Sequence, residues 1–366
     1  MQDIKDGMVR TPLAPNSTMI DDPLRALRTV RFACRLGFTL DKTLEETLAT
    51  TVVRDALAAK VSKERVLTEL NGMLLGPDPA RALEMLHSFS LLSTVFATPS
   101  SGVSLADASH SSLDASPAIA PWDATWTAAG MALVKRVAAL SPQVLQGLLR
   151  NEGALSLSEA MPKEWTRLLY LTALLAPLKP YQLPGKKKPE PLVEYVLRVS
   201  LKGTVKDTSD AQLFLDCAQE LRELATSAAG GGGGGEEEGG VSFKVQAGRC
   251  LRKVGERWRI AMLLALVQAG DREGAGGREE EVLQRFEALE KLVVDEWSLE
   301  GCWDMKPLLD GGKICQTLNL DKKKKEDGIK IGVITREMID WQLSQAKPLH
   351  VTTAECEAWL LKVHNS

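Results

Sequence analysis

The sequence predicts a chain built almost entirely of helices. Three observations carry this. Apolar residues recur at helical spacing, as in Val66, Leu67, Leu70, Met73 and Leu74, and again in Ala82, Leu83, Leu86 and Phe89. Such runs open on capping or breaking residues, among them Ser62, Gly76-Pro77-Asp78-Pro79 and Thr352-Thr353-Ala354-Glu355. Only one stretch, Met8-Val9-Arg10-Thr11 after the Asp6-Gly7 turn, reads as a strand.

Composition narrows the class. At 366 residues, 44% apolar and 25% charged, the chain has the make-up of a globular protein of two or three domains. Its formal charge of −3 means that a nucleic-acid binder with this balance must gather its cations on one surface. Six cysteines, at 34, 217, 250, 302, 315 and 356, form no C-x-x-C, and four isolated histidines add no zinc spacing. Reduced thiols in an intracellular protein are the expectation. No run of 18 apolar residues predicts a membrane span, and the N-terminus lacks a signal-peptide pattern.

In chain order, residues 1–20 give the short strand and then an extended, proline-bounded segment. A helix follows. Asp22 is placed to cap its orphan amides and Pro23 suits its first position. Leu27, Val30 and Cys34 fall on one side. Arg25, Arg28, Arg31 and Arg35 share a neighbouring arc with Leu24 and Phe32, a mixture suited to the wall of a cleft rather than to a plain solvated face.

Asp22 and Arg25, three apart, can meet or point at a common ligand. Asp offers acceptors and Arg a rigid fork of donors. The pairing edges of cytosine and adenine both set an amino donor beside a ring-nitrogen acceptor, so one Asp–Arg pair reads both. Guanine and uracil leave the pair with unmatched groups, and a site rejects ligands that do so. On spacing alone, an N-cap Asp with a structural ion pair is the favoured reading, since Asp-x-x-Arg is a common spacing.

Further on, Ser62 caps a helix in which Arg65 and Glu69 stand at i,i+4, the spacing of a surface ion pair. His87 reads as a packed helical residue, with no partner at metal spacing. Residues 97–121, rich in Ser, Ala, Asp and Pro, read as an exposed, disordered insertion. Helices resume over 122–176. Lys186, Lys187 and Lys188 precede the Pro189-Glu190-Pro191 turn that launches a helix over 192–199; they fit a solvated loop or a contact to RNA phosphate.

The glycine run from Gly230 to Gly235 is followed by three glutamates, without the Gly-Lys-Ser/Thr of a phosphate loop, and reads as a linker. Residues 270–280 look like a second acidic, glycine-rich insertion. Amphipathic helices are expected over 249–269 and 281–297, with a last helix capped at 352–355 and Trp359 on its core side. Between Leu320 and Gly332, Lys322 to Lys325 fit either helix-turn packing or a basic loop near RNA.

The run Asp21-Asp22-Pro23-Leu24-Arg25, with Arg28, Arg31, Phe32, Arg35 and Gly37-Phe38, resembles the neck of class II tRNA nucleotidyltransferases. These CCA-adding enzymes share a family with bacterial poly(A) polymerases. The resemblance extends to Arg65-x-x-x-Glu69, to Arg81 through His87, and to Lys306-Pro307-Leu308-Leu309-Asp310-Gly311 with Ile339-Asp340-Trp341. It implies an all-α fold of neck, body and tail, with only a vestige of the β-containing head.

The division it implies is 1–20 as the end of the catalytic head, 21–96 as the nucleotide-selecting neck and 97–121 as the insertion. Residues 122–225 would be the helical body, 226–242 a Gly/Glu-rich linker and 243–366 a tRNA-binding tail. The resemblance further implies that Asp22 and Arg25 template incoming CTP or ATP beside Asp21 and Arg28, while Arg65 and Glu69 brace them. Lys186, Lys187, Lys188, Lys322 and Lys323 are candidate RNA contacts.

The partners implied are tRNA, CTP and ATP, and a missing catalytic domain; no membrane is implied. Nucleotidyl transfer needs carboxylates that hold Mg²⁺. The family supplies them from a Gly-Ser turn and an Asp-x-Asp. Asp207, Asp210, Asp271, Asp295 and Asp304 offer no such arrangement, so no catalytic or metal-ligating residue is assigned and the chain alone is expected to be inactive. A non-catalytic RNA-binding module or split subunit is the alternative.

Overall fold

The computed structural model describes residues 2–105, 125–185, 188–229, 242–273, 279–321 and 324–364. They form two compact units, Met1–Leu215 and Asp216–Ser366. The division falls within one long helix, Val205–Ala229, which runs into the segment that composition marks as a linker from 226. The expected all-α class holds, with two small sheets set among helices. Among the described residues, no helix is long and apolar enough to cross a membrane.

In the first unit the helix Leu24–Leu36 is the hub. Leu24, Ala26, Leu27, Val30, Ala33 and Cys34 are buried, and the helix packs on Lys63–Leu74 and Pro79–Ser88. Ser62 Oγ accepts from the Arg65 amide at 3.4 Å, and Asp78 Oδ1 from the Arg81 amide at 2.9 Å, so both supporting helices start where capping residues predict. Gly37 ends the hub helix at φ +68°, and its amide and that of Phe38 both turn back to the Ala33 carbonyl. The chain then pairs Thr39–Leu40 in parallel with Met8–Val9, the strand expected there.

Three expectations are corrected here. The segment before the hub is a helix, Pro15–Asp21, rather than extended chain; Pro15 sits at its first turn, and burial of Met19 to 1% exposure anchors it. A three-stranded antiparallel sheet joins Ser104–Leu105, Tyr181–Leu183 and Glu190–Pro191. Ser104 and Leu105 therefore have strand partners inside the expected disordered insertion, whose residues 106–121 lie outside those described. Glu190–Pro191 is likewise a strand rather than a turn, and the helix Leu192–Tyr195 follows it directly.

In the second unit, Phe243–Val254 packs on Lys325–Ser344, and Trp258–Glu273 on Glu279–Lys291. Leu309, Ile314, Ile334, Met338, Cys356 and Leu360 make a core at the C-terminal end. Trp341 and Trp359 stack beside it with ring centroids 5.2 Å apart. Arg249 grips Asp340 through two bonds, at 2.8 and 2.6 Å.

Candidate nucleotide-selecting site

Asp22 sits just ahead of the hub helix, half-buried. Its Oδ1 accepts from the Leu24 amide at 3.3 Å, an Asx-type bond made from one residue ahead of the cap: Pro23, expected at the first helical position, is itself the N-cap, and the helix starts at Leu24. The same oxygen lies 3.6 Å from Arg65 Nη2. Oδ2 has no partner among the described residues, so Asp22 keeps one oriented acceptor.

Arg25 is fixed differently. Its Nη1 donates to the Thr18 carbonyl at 3.1 Å and to Asp21 Oδ2 at 3.3 Å. Nη2 and Nε make no hydrogen bond among the described residues. Asp22 and Arg25 therefore do not close on each other: each is held by a third group and retains unmatched acceptor or donor capacity. Arg28, Phe32 and Arg35 continue this exposed side, and neither Arg28 nor Arg35 has an ion pair or hydrogen bond among the described residues.

Arg31 and Leu24 leave the arc that sequence spacing drew. Leu24 is buried at 6% exposure. Arg31 turns inward, and its Nε donates to Glu69 Oε2 at 2.5 Å. Its guanidinium lies 4.4 Å from the Phe32 ring centroid. Gly72 makes the crossing possible, since a Cβ there would stand 2.6 Å from Arg31 Cδ.

The i,i+4 pair expected between Arg65 and Glu69 does not form. Arg65 reaches Asp22 and Glu69 reaches Arg31, so one helix braces the hub helix at two points. The physical reason is burial. Glu69 is 8% exposed, and a carboxylate there needs a cation on its own buried side. The tertiary partners of both residues, and the part played by Gly72, carry no sequence signal, because each depends on which helix packs opposite.

Of the basic candidates, Lys188 is exposed and described, whereas Lys186, Lys187, Lys322 and Lys323 lie outside the described residues. Asp207 is tied to Arg167 and Thr204, and Asp22 to Leu24 and Arg65. No metal-ligand cluster is visible in the spacing of cysteines and histidines, yet folding brings Cys217, Glu220 and Cys250 together. They are the one group of three candidate ligand atoms among the described residues. Two thiols and a single carboxylate do not fit Mg²⁺, which takes oxygen ligands.

A braced Asp and Arg thus head the hub helix of this all-α chain, and the chain is similar to known tRNA nucleotidyltransferases. Residues 37–100 match the family model described as the probable RNA and SrmB-binding site of polymerase A. The chain is 26% identical to the mitochondrial CCA tRNA nucleotidyltransferase of Saccharomyces cerevisiae over 93% of its own length and 60% of that protein. It is 24% identical to tRNA nucleotidyltransferase cca2 of Schizosaccharomyces pombe, over 98% of this chain and 64% of that one. A CCA-adding enzyme solved in complex with CTP shares the fold at a TM-score of 0.50 and 15% identity, covering 99% of this chain and 64% of that one. The chain thus spans less than two thirds of the length of these relatives. Over that span it is similar to CCA-adding enzymes, and at residues 37–100 to the polymerase A family model.

Proposed function

We propose that this chain selects CTP and ATP and grips tRNA for completion of the tRNA 3′ end with C, C and A. The observation that carries the reading is the complementary pair at the head of the hub helix. Asp22 Oδ2 stands ready to accept from a base amino group, and Arg25 Nη2 and Nε to donate to a ring nitrogen. Cytosine and adenine present both side by side on the pairing edge; there guanine and uracil turn a carbonyl to the carboxylate and a ring N–H to the guanidinium. The arginines at 28 and 35, with Phe32 between them, suit the triphosphate and the flanking RNA. Lys186, Lys187, Lys188, Lys322 and Lys323 are further candidates for phosphate contact. All six cysteines are free, which fits a reducing intracellular compartment.

Transfer itself needs Mg²⁺ held by carboxylates, which in this reading come from a catalytic domain acting with this chain. The chain alone selects without transferring. The test is equilibrium binding of CTP, ATP, GTP and UTP to the chain with tRNA lacking CCA, in wild type and in Asp22→Ala/Arg25→Ala. The wild type should prefer CTP and ATP, and the double variant should lose that preference while still binding tRNA. Equal affinity for all four nucleotides in the wild type refutes the templating roles.

The second reading is a non-catalytic RNA-binding module, favoured by the poor fit of the described carboxylates to Mg²⁺. An incorporation assay with Mg²⁺, with and without a catalytic domain from a relative, separates the two. Added nucleotides only in the supplemented reaction support the selecting role.

A further inference from the structure

Cys217 and Glu220 stand three apart on the helix Val205–Ala229 and so share a face. Cys250 comes from the helix Phe243–Val254, with Lys253 three residues further along that helix. The two thiol sulfurs and a Glu220 carboxylate oxygen all lie within 4.8 Å of one another. Both cysteines are fully buried, whereas the Glu220 side chain is 37% exposed and opens the cluster to solvent. Lys253 Nζ donates to Glu220 Oε1 at 2.6 Å.

We infer that Cys217, Glu220 and Cys250 form a binding site for a borderline-soft divalent cation of the zinc type. The donor set selects the metal: two sulfurs exclude hard cations such as Mg²⁺ and Ca²⁺, and suit d¹⁰ ions that take mixed S and O ligands. Tetrahedral zinc, with Zn–S about 2.3 Å and Zn–O about 2.0 Å, sets its ligands on the order of 3.5 Å apart. A contraction of at most about 1.3 Å from the observed spread closes the site, within reach of side-chain rotation. Water entering past Glu220 supplies the fourth position. Charge also balances: two thiolates, one carboxylate, the Lys253 ammonium and a dication sum to zero, which a buried site requires.

Cys250 Sγ donates to the Cys217 carbonyl at 3.9 Å. The buried thiols of Cys34, Cys302 and Cys356 are pushed up by desolvation, to about 11, 12 and 11. None of those three belongs to a group of three candidate ligand atoms among the described residues. The role of the metal would be to pin Val205–Ala229 against Phe243–Val254, two helices that the sequence joins only through the glycine-rich stretch.

The experiment titrates Co²⁺ into the reduced full-length chain, then displaces it with Zn²⁺. One equivalent should raise a near-ultraviolet thiolate-to-cobalt band, which zinc abolishes. Cys250→Ser removes one of two thiolates and should lower the band to roughly half. Glu220→Gln, at a half-exposed position that spares the core, should keep both thiolates but weaken Co²⁺ binding. Cys302→Ala should change neither. No charge-transfer band at one equivalent, or affinity and intensity indifferent to both Cys250→Ser and Glu220→Gln, overturns the site. So does a Cys217–Cys250 disulfide recovered as the resting form in metal-replete buffer.

Discussion

Arg31 crosses the face of Gly72 to reach Glu69, and the sign of a single substitution tests that geometry. Gly72 lies within the helix Lys63–Leu74, where alanine is favoured over glycine by about 1 kcal/mol. With Arg31 in place, the new Cβ at 2.6 Å from Cδ must displace the arginine stem. That leaves the Glu69 carboxylate, 11% exposed as a side chain, without its partner, at a cost of about 1–3 kcal/mol. Gly72→Ala should therefore destabilise the wild type by up to about 2 kcal/mol net of its helix-forming gain. In an Arg31→Ala background the same substitution should stabilise by up to about 1 kcal/mol. Urea midpoints of the four proteins decide it, and an effect of the same sign in both backgrounds refutes the crossing. At this scale the sequence was legible where the contact is local. The Asp22 bond to the Leu24 amide and the Ser62 cap follow from positions two and three residues apart. The Asp22–Arg65 and Arg31–Glu69 pairs do not, because i,i+4 spacing offered Glu69 a nearer partner that burial then disallowed.

Elements tell the same story with helices and strands in place of side chains. Helices with sustained 3.6-residue periodicity were legible; of the described two- and three-residue strands only Met8–Val9, marked by the Asp6-Gly7 turn, was, since alternation needs about four residues to register. The last helix, Thr353–His364, was legible down to its capping box. The Glu355 amide donates to Thr352 Oγ1 at 3.3 Å, and the Thr352 amide returns a bond to Glu355 Oε2 at 2.8 Å. The Thr352 amide, then its hydroxyl, hold the Glu355 carboxyl below its ordinary value. A carboxylate depressed on folding contributes stability above its unfolded pKa of about 4.3, and that contribution is lost as pH falls through the lower folded value. Glu355→Gln lacks the charge throughout. The stability gap between wild type and Glu355→Gln, followed through the fluorescence of Trp359, should be open at pH 6 and close on acidification below about pH 4. A gap independent of pH would show that the box works through shape alone.

For the whole molecule, charge is the controlling quantity. A net charge of −3 cannot draw a polyanion from a distance, so the proposed tRNA binding has to come from cations gathered locally and to fall steeply with salt. Arg28 and Arg35 on the hub helix are exposed and without partners among the described residues, so their charges are available to phosphate. Each phosphate contact contributes about 0.7 to the slope of log affinity against log salt for single-stranded RNA, and about 0.9 for a duplex. If both arginines bind phosphate, Arg28→Ala/Arg35→Ala should flatten the slope for tRNA lacking CCA by about 1.4 to 1.8. Arg249 is the contrasting case: it already holds Asp340 through two bonds, and its replacement should cost stability while leaving the salt slope unchanged. An unchanged slope in the Arg28/Arg35 variant would move the RNA-facing surface off the hub helix. The basic segments around Lys186–Lys188 and Lys322–Lys323 would then be the place to repeat the substitution, and the hub helix would keep only its proposed role toward the nucleotide.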